Sequence, residues 1–502
     1  MAELQVPTAD APLLSDFDVL TIGAGISGIN TAYHLQTEFP GTSYAILEAR
    51  DSIGGTWDFF RYPGLRSDSD MVTFGFPWSP WTSDQRTGTG SQIVAYIRKA
   101  AEAQGIDKNI RFNHKVLAAD WSTPTKAWTV TAVNGAGETR TFRSRFLVLG
   151  TGYYDYENAL EADIPGLRTF GGQVIHTQFW PEDFDYTGKD IVVIGSGATA
   201  VTLIPVIAEK AKSVTMLQRS PTYMVSPPAR MGPESGLSRL LLRLLPTAMG
   251  HWYRRMRSAL FSSFLYAFCI AFPTRARASI LKATAAQLPG DIPVDPHFNP
   301  QYMPWEQRMC VCPGGDFFAA LRSGRARVVT DRIAEVTATE IRLASKGSQP
   351  LRPDVIVTAT GLRLKFAGGV ALSVDSEVVD PTTRYVWRGC MVEGVPNLAF
   401  VMGYINTSWT LATDVFGRVL TRVMRLTASR GATSVTPRLR DRDRKPGQLR
   451  DLPVFALTST FMKKANESFP RAGGGIWDHR RSYLTDELHS RFGDVKSGLY
   501  FE

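Results

Sequence analysis

The sequence predicts an α/β fold with two Rossmann-like dinucleotide-binding domains and a helical insertion. A buried strand, a glycine turn, a helix and a second apolar strand follow one another within residues 17–48, and the same order returns within 190–220. Residues 227–304 have few strand signals, many Arg and Leu residues, and proline breaks at Pro246, Pro273 and Pro289, which favours helices there. A length of 502 residues is too long for one simple core and suggests two or three domains.

The composition is typical of a folded globular protein and excludes several functional classes. The chain is 44% hydrophobic and 21% charged, with a formal net charge of +9. This modest excess favours anionic small ligands, or weak attraction to acidic membranes, over nucleic acid. The four cysteines have neither zinc-site nor CxxC spacing, so no metal site is expected. No secretory signal is visible at the N-terminus, and we expect a cytoplasmic protein.

The first glycine turn carries a dinucleotide fingerprint. Gly23, Gly25 and Gly28 form G-x-G-x-x-G between the strand FDVLTIG and a helix, where backbone N–H groups can meet a pyrophosphate. Glu48 ends the next strand, 20 residues after Gly28, and a carboxylate there can accept hydrogen bonds from a ribose diol. The alternative is that the glycines serve only a tight turn. The pattern predicts a plain dinucleotide such as FAD.

The second turn differs at the residue that selects the nucleotide. Gly195, Gly197 and Ala200 satisfy the fingerprint, which allows alanine at its third position. The following strand ends with Arg219 and no acid, and an arginine can bind a 2′-phosphate that a carboxylate would reject. A surface arginine without a ligand is the alternative. Two such sites predict hydride transfer from NADPH to FAD.

Two further buried strands, within 142–154 and 352–364, exit into glycine, and each would return the chain toward a nucleotide site. We expect an FAD-binding domain formed by 1–153 and 365–502, and an NADP-binding domain of 154–364 that contains the helical insertion at about 227–304. The charged stretch 436–451 predicts a solvated surface connection.

Residues 259–272, ALFSSFLYAFCIAF, are apolar for fourteen residues and are flanked by arginines. Because about 20 residues are needed to cross a bilayer, a transmembrane span is not expected. The favoured interpretation is a buried helix of the insertion. Peripheral contact with a membrane surface is the alternative.

Two longer motifs carry a family resemblance. GGTWDFFRYPGLRSD (54–68) and FGGQVIHTQFWP (170–181) resemble the two fingerprints of type I Baeyer–Villiger monooxygenases, [A/G]-G-x-W-x(4)-[F/Y]-P-[G/M]-x(3)-D and F-x-G-x(3)-H-x(3)-W-[P/D]. Every specified position matches, and nearly the whole chain is similar to the ethionamide-activating group of mycobacteria. The resemblance implies an NADPH- and O2-dependent flavin monooxygenase that converts ketones to esters or lactones through a C4a-peroxyflavin. Sulfide oxidation is the expected side activity.

The resemblance also implies roles for particular residues. Arg308, in PWEQRMC, would be the cation that stabilises the oxygenated flavin, with Asp68 as its partner. His176 would belong to a hinge that couples domain movement to catalysis, and a satisfied structural histidine is the alternative. The other expected cofactor-binding residues are Gly55, Trp57, Asp68 and Val116, and the other hinge residues are Phe170, Gly172, Trp180 and Pro181.

Two competing functions stay open at this point. An N- or S-oxygenating flavin monooxygenase is the nearest enzymatic alternative, although its relatives carry Tyr or Phe in place of Trp180. A non-catalytic, flavin-binding, membrane-associated protein is the alternative from another class. A disulfide reductase is disfavoured because the sequence has no CxxC.

Overall fold

The computed structural model describes residues 16–232, 235–440, 443, 449–479 and 482–502, so the expectation about the N-terminal signal falls on residues outside this part of the chain. The described strands in chain order are β1 (Asp16–Ile22), β2 (Tyr44–Leu47), β3 (Ile110–Arg111), β4 (His114–Ser122), β5 (Ala127–Asn134), β6 (Thr139–Leu149), β7 (Gln173–His176), β8 (Asp190–Ile194), β9 (Ser213–Gln218), β10 (Met224–Val225), β11 (Cys310–Val311), β12 (Ala326–Thr330), β13 (Ile333–Val336), β14 (Ile341–Leu343), β15 (Val355–Thr358), β16 (Ala371–Val374), β17 (Glu377–Val378), β18 (Val386–Trp387), β19 (Met391–Val392), β20 (Leu398–Phe400), β21 (Val435–Pro437) and β22 (Leu499–Phe501).

The described helices are α1 (Ile26–Glu38), α2 (Thr56–Phe59), α3 (Met71–Phe74), α4 (Gly90–Ala103), α5 (Ala198–Ile207), α6 (Gly236–Leu244), α7 (Thr247–Ala271), α8 (Pro273–Ala285), α9 (Val294–His297), α10 (Asp316–Arg322), α11 (Trp409–Ser429), α12 (Thr460–Ala465) and α13 (Tyr483–Phe492).

The first sheet combines a parallel core with an antiparallel flank. β1 pairs in parallel with β6 and β2, and β2 pairs with β3. β6 continues into antiparallel β5 and β4, and β20 also joins β6. The last four residues of β1 are buried, as expected for a strand covered on both faces. Helices α1 and α11 pack together on one face of this core.

The second sheet is parallel throughout. Its strand order is β12-β9-β8-β15-β7, and β8 lies at its centre with four buried residues. All five strands lie within residues 173–358, whereas the strands of the first sheet lie within 16–149 and 371–400. The predicted class, α/β with two Rossmann-like units and a helical insertion, is therefore confirmed. The domain borders at 153/154 and 364/365 stay predictions.

The two chain segments that pass between the sheets run side by side. The backbone N–H of Asp155 donates to the carbonyl of Arg363 at 2.9 Å, and that of Lys365 donates to the carbonyl of Tyr153 at 2.9 Å. A bend in one connection must therefore move the other.

The insertion is helical, but the expectation that 259–272 is buried is wrong. In α7 the side chains of Ala259 and Cys269 are buried, whereas Phe261 and Phe264 are 65% and 69% exposed. The cause is that α7 packs along one side only, against α3, α8 and α13. Among the described helices none is by itself long and apolar enough to span a bilayer, and α7 with α8 meets that test only as a pair bent by 112°.

The stretch 436–451 is also not wholly a solvated connection. Its first two residues belong to buried β21, which pairs antiparallel with β22 near the C-terminus. Residues 441–442 and 444–448 lie outside the described part of the chain.

A buried ion pair holds α7 against the first unit. The Arg255 guanidinium donates to Asp414 of α11 at 2.7 Å and to the carbonyl of Thr73 at 2.9 Å. Asp414 also accepts from Asn30 of α1 at 2.9 Å. Burial raises the pKa of Asp414, but Arg255 and His34 outweigh this and bring it below its ordinary value. The carboxylate therefore stays ionised and ties three helices together.

Replacing Arg255 by alanine should strongly destabilise the protein, because it leaves the Asp414 charge and several carbonyls buried without their donor. We expect a loss of about 3–5 kcal/mol in the free energy of unfolding, measured by denaturant titration of the flavin-loaded protein. Exposed Arg275→Ala is the control and should cost less than about 0.5 kcal/mol. Equal stability of the two variants would contradict the role assigned to this ion pair.

Candidate functional site

One large cleft collects residues from both sheets. Its volume is about 1410 Å³, which exceeds the ~300–1,000 Å³ typical of a single small-molecule pocket. Eleven of the residues predicted from the sequence line it: Gly23, Gly25, Glu48, Gly55, Trp57, Asp68, Val116, Gly195, Gly197, Arg219 and Arg308. Gly28 and Ala200 lie behind the wall, where both are buried. The cleft has room for two extended ligands.

The first glycine turn is built for close backbone approach. A Cβ on Gly28 would lie 2.0 Å from the carbonyl oxygen of Gly23, so no other residue fits where α1 crosses the end of β1. Helix α1 begins after Gly25, and no side chain caps its first N–H groups. Uncapped N–H groups at a helix start attract phosphate.

Glu48 lies at the end of β2 beside this turn. Its carboxylate accepts hydrogen bonds from the backbone N–H of Ala24 at 2.7 Å and of Arg50 at 3.0 Å. Burial raises the pKa of Glu48, and these hydrogen bonds oppose the rise. These hydrogen bonds hold the carboxyl group at the cleft wall, where it can accept hydrogen bonds from the hydroxyls of a ribose.

The second turn repeats the arrangement. A Cβ on Gly195 would lie 2.3 Å from the carbonyl oxygen of Ala359, and α5 also begins after a glycine without a side-chain cap. The Ser196 hydroxyl donates to the carbonyl of Ser220 at 2.8 Å, which fastens the turn to the end of β9. Arg219 stands next to Ser220, exposed in the cleft. Its position suits the 2′-phosphate that the sequence predicts.

Asp68 lies between two arginines. Burial raises the pKa of Asp68 to about 6, although Arg66 and Arg308 each act to lower it. Its Oδ1 atom is buried and accepts no hydrogen bond from the described residues. The ion pairs among described residues include no direct contact of Asp68 with Arg308 within 4.0 Å, so the predicted partners share the cleft without touching.

Arg66 and Asp316 form a pair that the sequence analysis missed. Arg66 belongs to the first unit, and it makes a short ion pair with Asp316, the first residue of α10 in the second unit. Arg66 also donates to the carbonyl of Val311 at 3.3 Å. Arg66 occupies an unspecified position of the first fingerprint, and no local signal marks Asp316.

Aromatic side chains form much of the remaining wall, and the sequence analysis anticipated only some of them. Trp57 packs edge-on against Phe74 at 5.7 Å between ring centroids. The Trp409 indole donates to the Ser27 hydroxyl at 2.9 Å. The other aromatic wall residues are Phe59, Tyr153, Tyr154, Tyr156, Tyr302, Tyr404 and Phe461.

The cysteines beside Arg308 are not poised for redox chemistry. All four cysteines are free and buried. Burial raises the pKa of the Cys310 thiol to about 12 and that of Cys312 well above its ordinary value. Both remain protonated thiols and poor nucleophiles at neutral pH.

The second fingerprint does not line the cleft. A Cβ on Gly172 would lie 2.5 Å from the carbonyl oxygen of Asp354, which explains the glycine. Phe170 and Trp180 are buried in separate clusters of the second unit, and Pro181 follows Trp180 at a half-buried position.

His176 ends β7 and is half-buried near the passage between the units. Its Nδ1 accepts from the backbone N–H of Gln178 at 3.1 Å, and burial lowers its pKa. Gln178 in turn donates to the carbonyl of Asp155 at 2.7 Å. No group of three or more potential metal-ligating side chains occurs among the described residues.

The chain is similar to known proteins in both sequence and fold. A family model described as pyridine nucleotide-disulphide oxidoreductase matches residues 20–231, which include both glycine turns. The chain is 43% identical over 487 residues to the FAD-containing monooxygenase EthA of Mycobacterium tuberculosis (strain CDC 1551 / Oshkosh), covering 96% of this chain and 97% of that protein. Two solved structures share the fold. Cyclohexanone monooxygenase from Rhodococcus sp. Phi1 bound to NADP+ has a TM-score of 0.74 at 18% identity, over 98% of this chain and 100% of that one. OTEMO in complex with FAD and NADP has a TM-score of 0.73 at 21% identity, over 97% and 99%.

The two uncapped glycine turns in one cleft, with the buried Glu48 and the exposed Arg219, define a flavoprotein oxidoreductase of the dinucleotide-binding class, which uses FAD and NADPH. The chain belongs to the EthA-like FAD-containing monooxygenases, and it shares its fold with cyclohexanone monooxygenase and OTEMO. The family resemblance of the two fingerprints is thereby confirmed, and the non-catalytic alternative falls.

Arg219→Ala should weaken NADPH binding and leave NADH binding nearly unchanged, because only NADPH carries the 2′-phosphate. A charge-assisted contact of about 1.5–3 kcal/mol corresponds to a loss of about 10- to 100-fold in affinity. The measurement is the anaerobic bleaching of flavin absorbance at increasing concentrations of each nucleotide. Arg352→Ala, an exposed arginine outside the cleft, is the control. An equal loss for both nucleotides would contradict the assigned selectivity.

Asp68→Asn should alter how stability depends on pH. Because the pKa of Asp68 is raised to about 6 in the folded state, the stability due to its protonated form is complete below about pH 4 and is lost as pH rises through about 6. Asparagine does not titrate, so the variant should gain roughly 1–3 kcal/mol on the wild type between pH 4 and 7. Denaturant titrations at several pH values measure this difference. Exposed Asp185→Asn should not reproduce the gain, since hydrogen bonds from Thr187 lower the pKa of Asp185.

Proposed function

We propose that this enzyme inserts one atom of dioxygen into a carbon–carbon bond next to the carbonyl of a ketone, giving an ester or lactone. The proposal rests on one observation: a cation, Arg308, faces the same cleft as both nucleotide turns, with a carboxyl group of raised pKa beside it. Bound FAD would accept a hydride from NADPH and activate dioxygen, and the second oxygen atom would leave as water. The aromatic wall favours an apolar ketone.

Arg308 supplies positive charge where negative charge develops on oxygen. Fixed cations in a cleft with little water stabilise such charge strongly, because no solvent must reorganise. Asp68 in its ionised form attracts the Arg308 guanidinium electrostatically, without a direct ion pair. The Arg66–Asp316 pair keeps the second unit, and hence Arg308, aligned with the first. Trp57, Gly55 and Val116 contribute to the flavin side of the cleft.

The second fingerprint acts as the hinge between the units. His176 positions Gln178, whose amide reaches the carbonyl of Asp155 in the passage between the sheets. The Thr177 hydroxyl donates to the carbonyl of Thr358 at 3.4 Å, close to the second passage. Rotation of the second unit would be transmitted through these contacts. The proposed domains are 1–153 with 365–502, and 154–364.

Sulfide oxidation is a second proposed activity of the same cleft. A sulfide bound in place of the ketone can accept the oxygen atom on a lone pair of its sulfur. The competing assignment is a monooxygenase that oxygenates nitrogen or sulfur only. Trp180 and Pro181 disfavour it, because such enzymes carry Tyr or Phe in place of that Trp. Parallel assays of an apolar ketone, an amine and a sulfide, with products identified by mass spectrometry, separate the two. Oxygenated amine without any ester would overturn the proposal.

Arg308→Ala should still bind NADPH and bleach the flavin, but ester formation should fall by about 10²–10³-fold, as for loss of one oxyanion-stabilising group. Hydrogen peroxide should replace the ester as the product of dioxygen. Ester yield per NADPH consumed measures the change, and Arg308→Lys should restore part of it. Undiminished ester formation by Arg308→Ala would refute the assigned role.

A peripheral contact of residues 259–272 with a membrane is a separate proposal and does not depend on this chemistry.

A further inference from the structure

Helix α7 presents a long apolar stripe to solvent. Six exposed apolar residues lie within positions 249–265 of this helix, which is roughly 37 Å long, and four of them cluster at 260–265. The residues of this stripe are Met249, Trp252, Leu260, Phe261, Phe264 and Leu265. Leu244 at the end of α6 and Phe272 after α7 are also exposed, at 74% and 47%. Apolar surface of this extent on one element indicates a partner.

The stripe is not an edge of the cleft. None of its six residues lines the cleft, and the opposite side of α7 is already occupied. Arg255 anchors that inner side through Asp414, and Tyr266 packs edge-on against Trp305 at 5.2 Å between ring centroids. The helix is therefore rigidly held, with its outer side turned away from the enzyme's own core.

The charge around the stripe is of one sign. Residues 235–290 contain seven arginines and one lysine but no aspartate or glutamate, so they hold most of the chain's net charge of +9. Arg243 lies exposed in the last turn of α6, and Arg275 lies over the Phe272 ring at 5.6 Å. Exposed phenylalanine and tryptophan with surrounding arginine are typical of helices that lie in the interface of an anionic membrane.

We propose that α7, with the adjoining ends of α6 and α8, binds the surface of bilayers rich in anionic phospholipids. The aromatic side chains enter the region between headgroups and acyl chains, and the arginines contact the phosphates. A second copy of this chain fits the surface less well, because a two-fold interface would place one basic segment against the other. Helices α7 and α8 are bent by 112° to one another, so the pair does not form a straight bilayer span.

Vesicle flotation of the flavin-loaded enzyme tests this proposal. Vesicles containing about one third phosphatidylglycerol in phosphatidylcholine are compared with phosphatidylcholine alone, at low and high salt. We expect at least about tenfold stronger binding to the anionic vesicles and a marked loss at high salt. Equal binding to both vesicles, or none to either, would overturn the proposal.

Two variants locate the contact. Phe261→Ser/Phe264→Ser should lower vesicle binding at least about tenfold through the loss of buried apolar area, and Arg243→Gln/Arg275→Gln by a similar factor through charge. The matched control is Leu117→Thr/Val378→Thr, which alters two exposed apolar residues of the first sheet and should bind as the wild type does. Circular dichroism and flavin content confirm that each variant is folded.

A second copy of the chain on the stripe would give a different result. If a second copy covers the stripe, light scattering will show an oligomer that dissociates in Phe261→Ser/Phe264→Ser, without any vesicle binding, and the lipid proposal fails. Flotation needs no ketone and no turnover, so its outcome is independent of the proposed reaction.

Discussion

The chemistry of this protein depends on two helix starts that face one cleft without side-chain caps. Helices α1 and α5 each leave their first N–H groups without a side-chain acceptor, which costs stability in an isolated helix and makes each a site for a phosphate. The glycine turns that follow β1 and β8, at Gly23 and Gly195, both line this cleft. The passages at 153–155 and 363–365 connect the two units side by side through paired backbone hydrogen bonds.

Charged side chains from both units meet at the cleft. Arg66 of the first unit is bound to Asp316 of the second, and Asp68 stands beside this pair with a pKa raised by burial. Burying a charged group costs free energy unless it is paired, and Asp68 Oδ1 has no hydrogen-bond partner in the part of the chain that the structure describes. A buried acceptor facing a cation is characteristic of a site whose geometry serves a reaction more than it serves stability.

The insertion shows how one helix can serve two surroundings. The inner side of α7 is fastened to the first unit by the buried Arg255–Asp414 pair, and the outer side leaves Phe261 and Phe264 in solvent. Because the buried ion pair already holds α7 in place, the apolar side chains on its outer side are not needed to pack it against the protein. The arginines of the insertion therefore have different surroundings. Arg255 is buried in an ion pair, whereas Arg243 and Arg275 are exposed to solvent.

The sequence by itself determined the two nucleotide units, their cofactors and the family. These depend on local requirements that spacing records directly: a turn that admits only glycine at Gly28, an acid at Glu48 and a base at Arg219. Only the tertiary structure decided that Phe261 and Phe264 in 259–272 are exposed while Ala259 and Cys269 are buried, since apolar composition is the same in a core helix and in a surface stripe. It also decided which charges meet, because Arg66 and Asp316 are 250 residues apart and no local pattern joins them. Spacing encodes what one segment must do, and packing alone determines what that segment faces.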